Sequence, residues 1–207
     1  MTTSVLAEMT AADSSIEMMI GIGLVKETDA VFFQYLGEEQ KPSALMMPSG
    51  KPLTRLLNVK LAEISIAENL GDFKMMKLNV ILETTAGRKV MLTSGLTTLW
   101  SQFLLAGLSG LAQAYSLDQA FTLDTWKGTS AMRPCFAAVR QAGNKVNDIQ
   151  LKEQLQEARA DRDNKKVETI IRDTIEILNH SLNGDPALPV TVAVSEPEVN
   201  EVVTDLF

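Results

Sequence analysis

Apolar and polar positions alternate along the first half of the chain, and the alternation predicts strands. Residues 1–15 are small and polar and predict a flexible N-terminus. Three β-like runs follow, at 18–25, 31–36 and 45–47. Lys26-Glu27-Thr28-Asp29 and the stretch 37–43 separate them, both good turn material. Pro48-Ser49-Gly50-Lys51-Pro52 is the clearest break. Beyond it, residues 56–66 read LLNVKLAEISI. Leu57, Val59 and Leu61 share one side, then Ile64 and Ile66 take up the opposite phase. A slip at Glu63 predicts one bulge in a long, curved strand. Met76, Leu78, Val80 and Leu82 then alternate with Lys77, Asn79, Ile81 and Glu83, which predicts a half-buried strand. After the turn Thr85-Ala86-Gly87, Val90 and Leu92 lie on one side of a short third strand.

The pattern then changes period. Residues 90–117 carry no charge, which raises the question of a membrane span. Thr98, Gln102, Ser109, Gln113 and Ser116 fall within about 40° of one helical direction, opposite Leu104, Leu108 and Leu111. A polar stripe of that width predicts a helix over 97–115 lying on a protein core, with no membrane involved. Two strands follow, at 121–127 and 135–141, joined through Gly128-Thr129-Ser130. Three strands, a helix and two strands, with a long bent first strand, is the order of a five-stranded OB barrel. The expected fold is therefore mainly β with α: an OB-like barrel over 16–147, its helix between strands 3 and 4, preceded by an N-terminal β extension.

Residues 148–182 predict one long C-terminal helix, charged in its first half and amphipathic in its second. Val167, Ile170, Ile171, Thr174, Ile175 and Leu178 form its apolar stripe. Such a stripe docks on its own domain or on a partner helix, the second choice giving a homo-oligomer. Asn183-Gly184-Asp185-Pro186 ends the helix, and 183–207, with three prolines and five acids, predicts a disordered acidic tail.

Composition narrows the function. Of 207 residues 45% are hydrophobic, enough for a core, with 19 Lys and Arg, 26 Asp and Glu, one His and one Cys. That excludes a disulfide scaffold and the usual zinc sites, so no metal and no cofactor is expected. A nucleophilic triad would have to use His180, in a charged helical region. Gly50-Lys51 lacks the upstream glycine of a phosphate loop, and Gly21-Ile22-Gly23 lacks the third glycine of a dinucleotide turn. The reading is a protein that is not an enzyme. A metal-dependent nuclease built on scattered carboxylates is the remaining enzymatic alternative, and a protein-only assembly module the other rival. The first twenty residues hold three acids and no base, unlike a secretory signal, and the expected compartment is the cytoplasm.

Charge is unevenly spread. Residues 1–50 hold 2 bases and 7 acids, 51–150 hold 11 and 7, 151–172 hold 6 and 5, and 173–207 hold none and 7. A basic middle in a chain of net charge −7 points to a polyanion. Lys74 and Lys77 belong to the second barrel strand, Arg88 and Lys89 to the third, and Lys127, Arg133 and Arg140 to the last hairpin. Trp126 is in phase with Thr122 and Asp124, opposite Phe121 and Leu123, so it should point outward beside Lys127. Cations that follow phosphates and a ring that stacks on a base are the requirements of single-strand binding. The other reading leaves the lysines as a solvated face and Trp126 under the C-terminal helix. Trp100 and Phe103 are assigned to the core. Phe32, Phe33 and Tyr35 cannot share one side of a strand and are weaker candidates.

The segment Glu196-Pro197-Glu198-Val199-Asn200-Glu201-Val202-Val203-Thr204-Asp205-Leu206-Phe207 resembles the C-terminal tip of bacterial and phage single-stranded DNA-binding proteins. No proline precedes the final Phe, and the acids are sparser than in that family. The resemblance implies an OB body that coats single-stranded DNA in replication, recombination and repair of a phage or plasmid type; the residues themselves leave the choice between DNA and RNA open. It also implies that Glu198, Glu201, Asp205, Leu206 and Phe207 recruit replication and repair proteins.

Overall fold

The computed structural model describes residues 16–25, 27–36, 41–70, 75–130 and 132–184. Nine strands form one mixed sheet: β1 (Ile16–Val25), β2 (Ala30–Leu36), β3 (Lys41–Ala44), β4 (Arg55–Leu70), β5 (Met75–Thr84), β6 (Lys89–Gly95), β7 (Phe121–Lys127), β8 (Cys135–Gln141) and β9 (Asn144–Val146). Among the described residues three helices accompany them: α1 (Leu99–Ala114), α2 (Ile149–Ala160) and α3 (Asn164–Leu182). The spatial order is β3-β2-β1-β6-β5-β4-β7-β8-β9.

The five strands expected to form a barrel are neighbours, in the order β6-β5-β4-β7-β8. They do not close into one. A strand has two hydrogen-bonding edges, and β6 gives its second edge to β1 in parallel, from Met18 opposite Val90 to Gly21 opposite Thr93. The N-terminal extension thus occupies the closing position, and the sheet is open. The expected strand at 45–47 is also displaced: β3 runs Lys41–Ala44, and of the later residues Met46 makes an isolated bridge to Pro52.

The slip predicted in the long strand is present, between Leu61 and Glu63. A second irregularity lies between Leu56 and Val59, where Asn58 takes a left-handed φ of 52°. It turns Leu57 outward, 62% exposed, so Leu57 does not share the inner side with Val59 and Leu61. Alternation alone misplaces it because a bulge reverses the phase.

Helix α1 fills the inner face of the sheet. Thr98 caps it by accepting from Ser101 N, and Trp100 Nε1 donates to Thr125 Oγ1 at 3.2 Å. Gly107 lets the helix sit on β8, since a Cβ there would stand 2.6 Å from Val139 Cγ2. Its polar stripe is not a solvated face: Gln102 and Ser109 are buried. Ser109 Oγ donates to Asp148 Oδ2 at 2.7 Å, and Gln113 Nε2 donates to the same oxygen at 2.8 Å. The polar line is the seam where α2 begins. Asp148 is the N-cap of α2, its Oδ1 accepting from Leu151 N at 3.0 Å, while its own N–H donates to Ala106 O at 2.9 Å.

The C-terminal segment is two helices, not one. Arg162 adopts a left-handed φ of 56°, and Asp163 caps the second helix by accepting from Lys166 N at 2.9 Å. The predicted stripe is otherwise correct: Val167, Ile171, Thr174, Ile175 and Leu178 are buried and Ile170 packs on the core. They cover α1, α2 and β4 of the same chain, where Asn179 Nδ2 donates to Ile64 O. No helix among the described residues is long and apolar enough to cross a membrane.

Asp148→Ala should cost about 2–4 kcal/mol, since it strands two donors and removes a cap. Asp148→Asn, which keeps an acceptor, should cost less. A lower urea midpoint at unchanged slope is the expected reading, and a midpoint equal to wild type refutes the seam.

Candidate nucleic-acid interface

Strand alternation divides β7 into an inner set, Phe121, Leu123 and Thr125, and an outer set, Thr122, Asp124 and Trp126. Trp126 is half-buried, its ring stacked on its cross-strand partner Phe136 with centroids 5.8 Å apart and planes at 23°. Phe136 in turn meets Phe103 edge-on at 5.3 Å. Gly128 makes room for this pair, because a Cβ there would lie 2.9 Å from Phe136 Cε2. The tryptophan is therefore held in one orientation by β8, on the outward side its phase predicts.

The same hairpin carries cations held by two carboxylates. Asp124, with its side chain 13% exposed, accepts from Arg55 Nε and from Arg140 Nε at 2.6 Å. Its carboxylate raises the Arg55 pKa. Asp29, in the β1–β2 turn, accepts from Lys127 Nζ and from Arg133 Nη1 at 3.2 Å. Asp29 and Arg133 both have left-handed backbones, with φ of 58° and 43°. The hydrogen bond from Lys127 holds the Asp29 carboxyl below its ordinary range. Four cations thus share two carboxylates in two clusters, a summed charge of +2.

The remaining sequence candidates stand apart from this group. Arg88 donates to Glu17, Lys89 lies across from Glu83, and Lys77 lies on the outward side of β5 opposite Gly95. Lys74 and the segment holding Glu198, Glu201, Asp205, Leu206 and Phe207 lie outside the described residues. The predicted residues therefore form two groups, one on the β7–β8 hairpin and one on β5–β6. Sequence reasoning missed Arg55, whose place beside Asp124 depends on the β4–β7 register, and Asp29, which reaches Lys127 across 98 positions of chain. It also undervalued Phe33 and Tyr35, whose rings meet edge-on at 5.2 Å.

Other chemistry finds little support here. Among the described residues no three His, Cys, Asp or Glu side chains converge to hold a metal. Burial pushes the Cys135 thiol pKa up, which disfavours the nucleophilic thiolate. No family model matches the chain, and no curated protein or solved structure shows significant similarity to it.

Because the folded Asp29 pKa is lowered, its ion pairs are complete above the free-carboxylate value of about 3.9 and fade only as pH falls through the lower folded value. A carboxyl NMR titration should find Asp29 below the ordinary range, and Lys127→Ala should return it upward. Titration at the ordinary value in wild type refutes the contact.

Proposed function

We propose that the protein binds single-stranded DNA, without sequence preference, along the outer face of the β7–β8 hairpin. The observations that carry this reading are the stacked Trp126–Phe136 pair and, on the same hairpin and its neighbours, the Arg55 and Arg140 pairs to Asp124 and the Lys127 and Arg133 pairs to Asp29. A base stacks on Trp126, and backbone phosphates take over from Asp29 as counter-ions to Lys127 and Arg133, while Arg55 and Arg140 keep buried Asp124 as partner and offer phosphate their remaining N–H groups. The Asp29 ion pairs are exposed and weak, so exchanging that carboxylate for a phosphate costs little. Stacking is indifferent to base identity because every base has a π face. The succession β6-β5-β4-β7-β8, with a bulged first strand and an inner helix, supports reading these strands as an OB-like unit opened by the insertion of β1.

In this reading the protein coats exposed single strands during replication or recombination. The acidic stretch 183–207 recruits partner proteins through Leu206 and Phe207, with Glu198, Glu201 and Asp205 speeding encounter.

Titration with a thymidine oligonucleotide should give tighter binding than the matching duplex. If about four phosphates are neutralised, log K should fall against log salt with a slope near −3, at about 0.7 per contact. Trp100 is buried and bonded to Thr125, so quenching on titration reports on Trp126. Trp126→Ala should weaken binding by ~1–3 kcal/mol without loss of fold. No binding at low salt, or a flat salt response, leaves a protein-only assembly module as the function.

A further inference from the structure

The sheet has a second outward aromatic site, on strands the OB pattern does not include. On β1, β2, β5 and β6 the inner side is closed by Ile20, Phe32, Leu78, Val80, Leu82 and Leu92. Among the described residues no helix covers the outer side, and its side chains fall into rows set by the register. One row runs Phe33, Gly21, Thr93, Asn79, Ser65. The next runs Met19, Met91, Ile81, Glu63, with Tyr35 two residues beyond Phe33 on the same side. Gly21 is what allows the arrangement: a Cβ there would overlap the Phe33 ring, and one at Gly23 would stand 3.3 Å from it. The phenyl ring therefore lies across the β1 backbone, and Tyr35, 58% exposed, stands edge-on to it at 84°.

The surroundings say what such a ring pair can hold. Lys77 lies beyond one end of these rows, while Lys60 and Lys89, both opposite Glu83, lie beyond the other. Neither Lys77 nor Lys89 makes an ion pair within 4.0 Å among the described residues. The row beside Phe33 is polar, so an apolar protein partner would bury Thr93, Asn79 and Ser65 unmatched. An unpaired nucleobase has a π face for the rings and polar edges for that row, and its phosphates suit the flanking lysines.

We infer that Phe33 and Tyr35 form a second base-stacking site for the same single strand that engages Trp126, an inference that rests on the proposed function. The β1–β2 turn links the two. Asp29 binds Lys127, the neighbour of Trp126 in β7, and Phe33 follows Asp29 by four residues along β2, about 13 Å at strand rise. Stacked nucleotides at about 3.4 Å each cover that distance in about four. That lies inside the roughly 4–16 nucleotides one OB-type unit occupies.

The test uses full-length protein and a 20-nucleotide thymidine oligonucleotide carrying photoreactive 5-iodouracil. Tyr35→Ala should lower affinity about 5- to 150-fold with an unchanged melting temperature, and Tyr35→Phe, which keeps the ring, should retain it. Irradiation of the wild-type complex should crosslink the peptide 27–41. Affinity of Tyr35→Ala within twofold of wild type, with crosslinks confined to Trp126, overturns this site and leaves the proposed function intact. Absence of oligonucleotide binding by wild type overturns both. Should Tyr35→Ala unfold, crosslinking of the wild-type protein decides alone.

Discussion

One buried carboxylate ties the two halves of this molecule together. Asp148 has three acceptor contacts and one donor contact, and they reach α1 at Ser109, Gln113 and Ala106 and α2 at Leu151. Gly110 brings the two backbones close enough for this, as a Cβ there would lie 2.6–2.8 Å from the main chain of Asn147 and Asp148. Without that acceptor the polar side of α1 would be buried with unmet donors, at a cost a marginally stable domain cannot absorb. With it, α1 can be enclosed on nearly all sides, and α2 and α3 have a fixed point of departure. The inner face of the sheet is filled from this joint outward.

Filling the inner face this way leaves the outer face to do other work. Because β1 takes the free edge of β6, the strands spread instead of closing; Phe33 and Tyr35 stand on the outer side of the sheet, while Trp126 stacks on Phe136, whose ring reaches Phe103 of α1. Each pair depends on a missing side chain: Gly128 for Trp126 and Phe136, Gly21 for Phe33 and Tyr35. The glycines place flat rings against main chain, where neighbours restrict their rotation. A ring with little freedom left loses little entropy when something stacks on it. Charge follows the same economy, since Asp29 and Asp124 keep four cations clustered that would otherwise repel one another.

Much of this was legible in the chain. The bounds of β7 and β8 follow from alternation, and the bulge after Leu61 is visible as a reversal of phase. Trp126 faces outward for the reason its neighbours suggest. What could not be read is whatever depends on pairing between distant strands. The choice of β1 over β8 as partner for β6 is a competition of edges that no local pattern records. Leu57 was misplaced by a left-handed Asn58, and the single C-terminal helix by a left-handed Arg162. Asn is the non-glycine type most at home in that conformation, but inside an alternating apolar run it reads as one more outward polar position, and Arg162 gives no sign of it at all. Phe33 cannot share one side of its strand with Phe32, and alternation alone gives it no role. Its purpose appears only when Gly21 is placed beneath it.

The parallel pairing of β1 with β6 also sets an order on how the chain can be made. Ile16 and Lys89 are neighbours in space but 73 positions apart, so ribosomal synthesis delivers β1 and β2 long before their place in the sheet exists. At about 5–20 residues per second, that hairpin waits several seconds. During that time its apolar side has only itself for cover. The meander β4-β5-β6, with short connections, can form by local contacts as soon as it emerges. Strands β1 and β2 are thus made before β6 but placed after it, and their arrival is what commits the sheet to staying open.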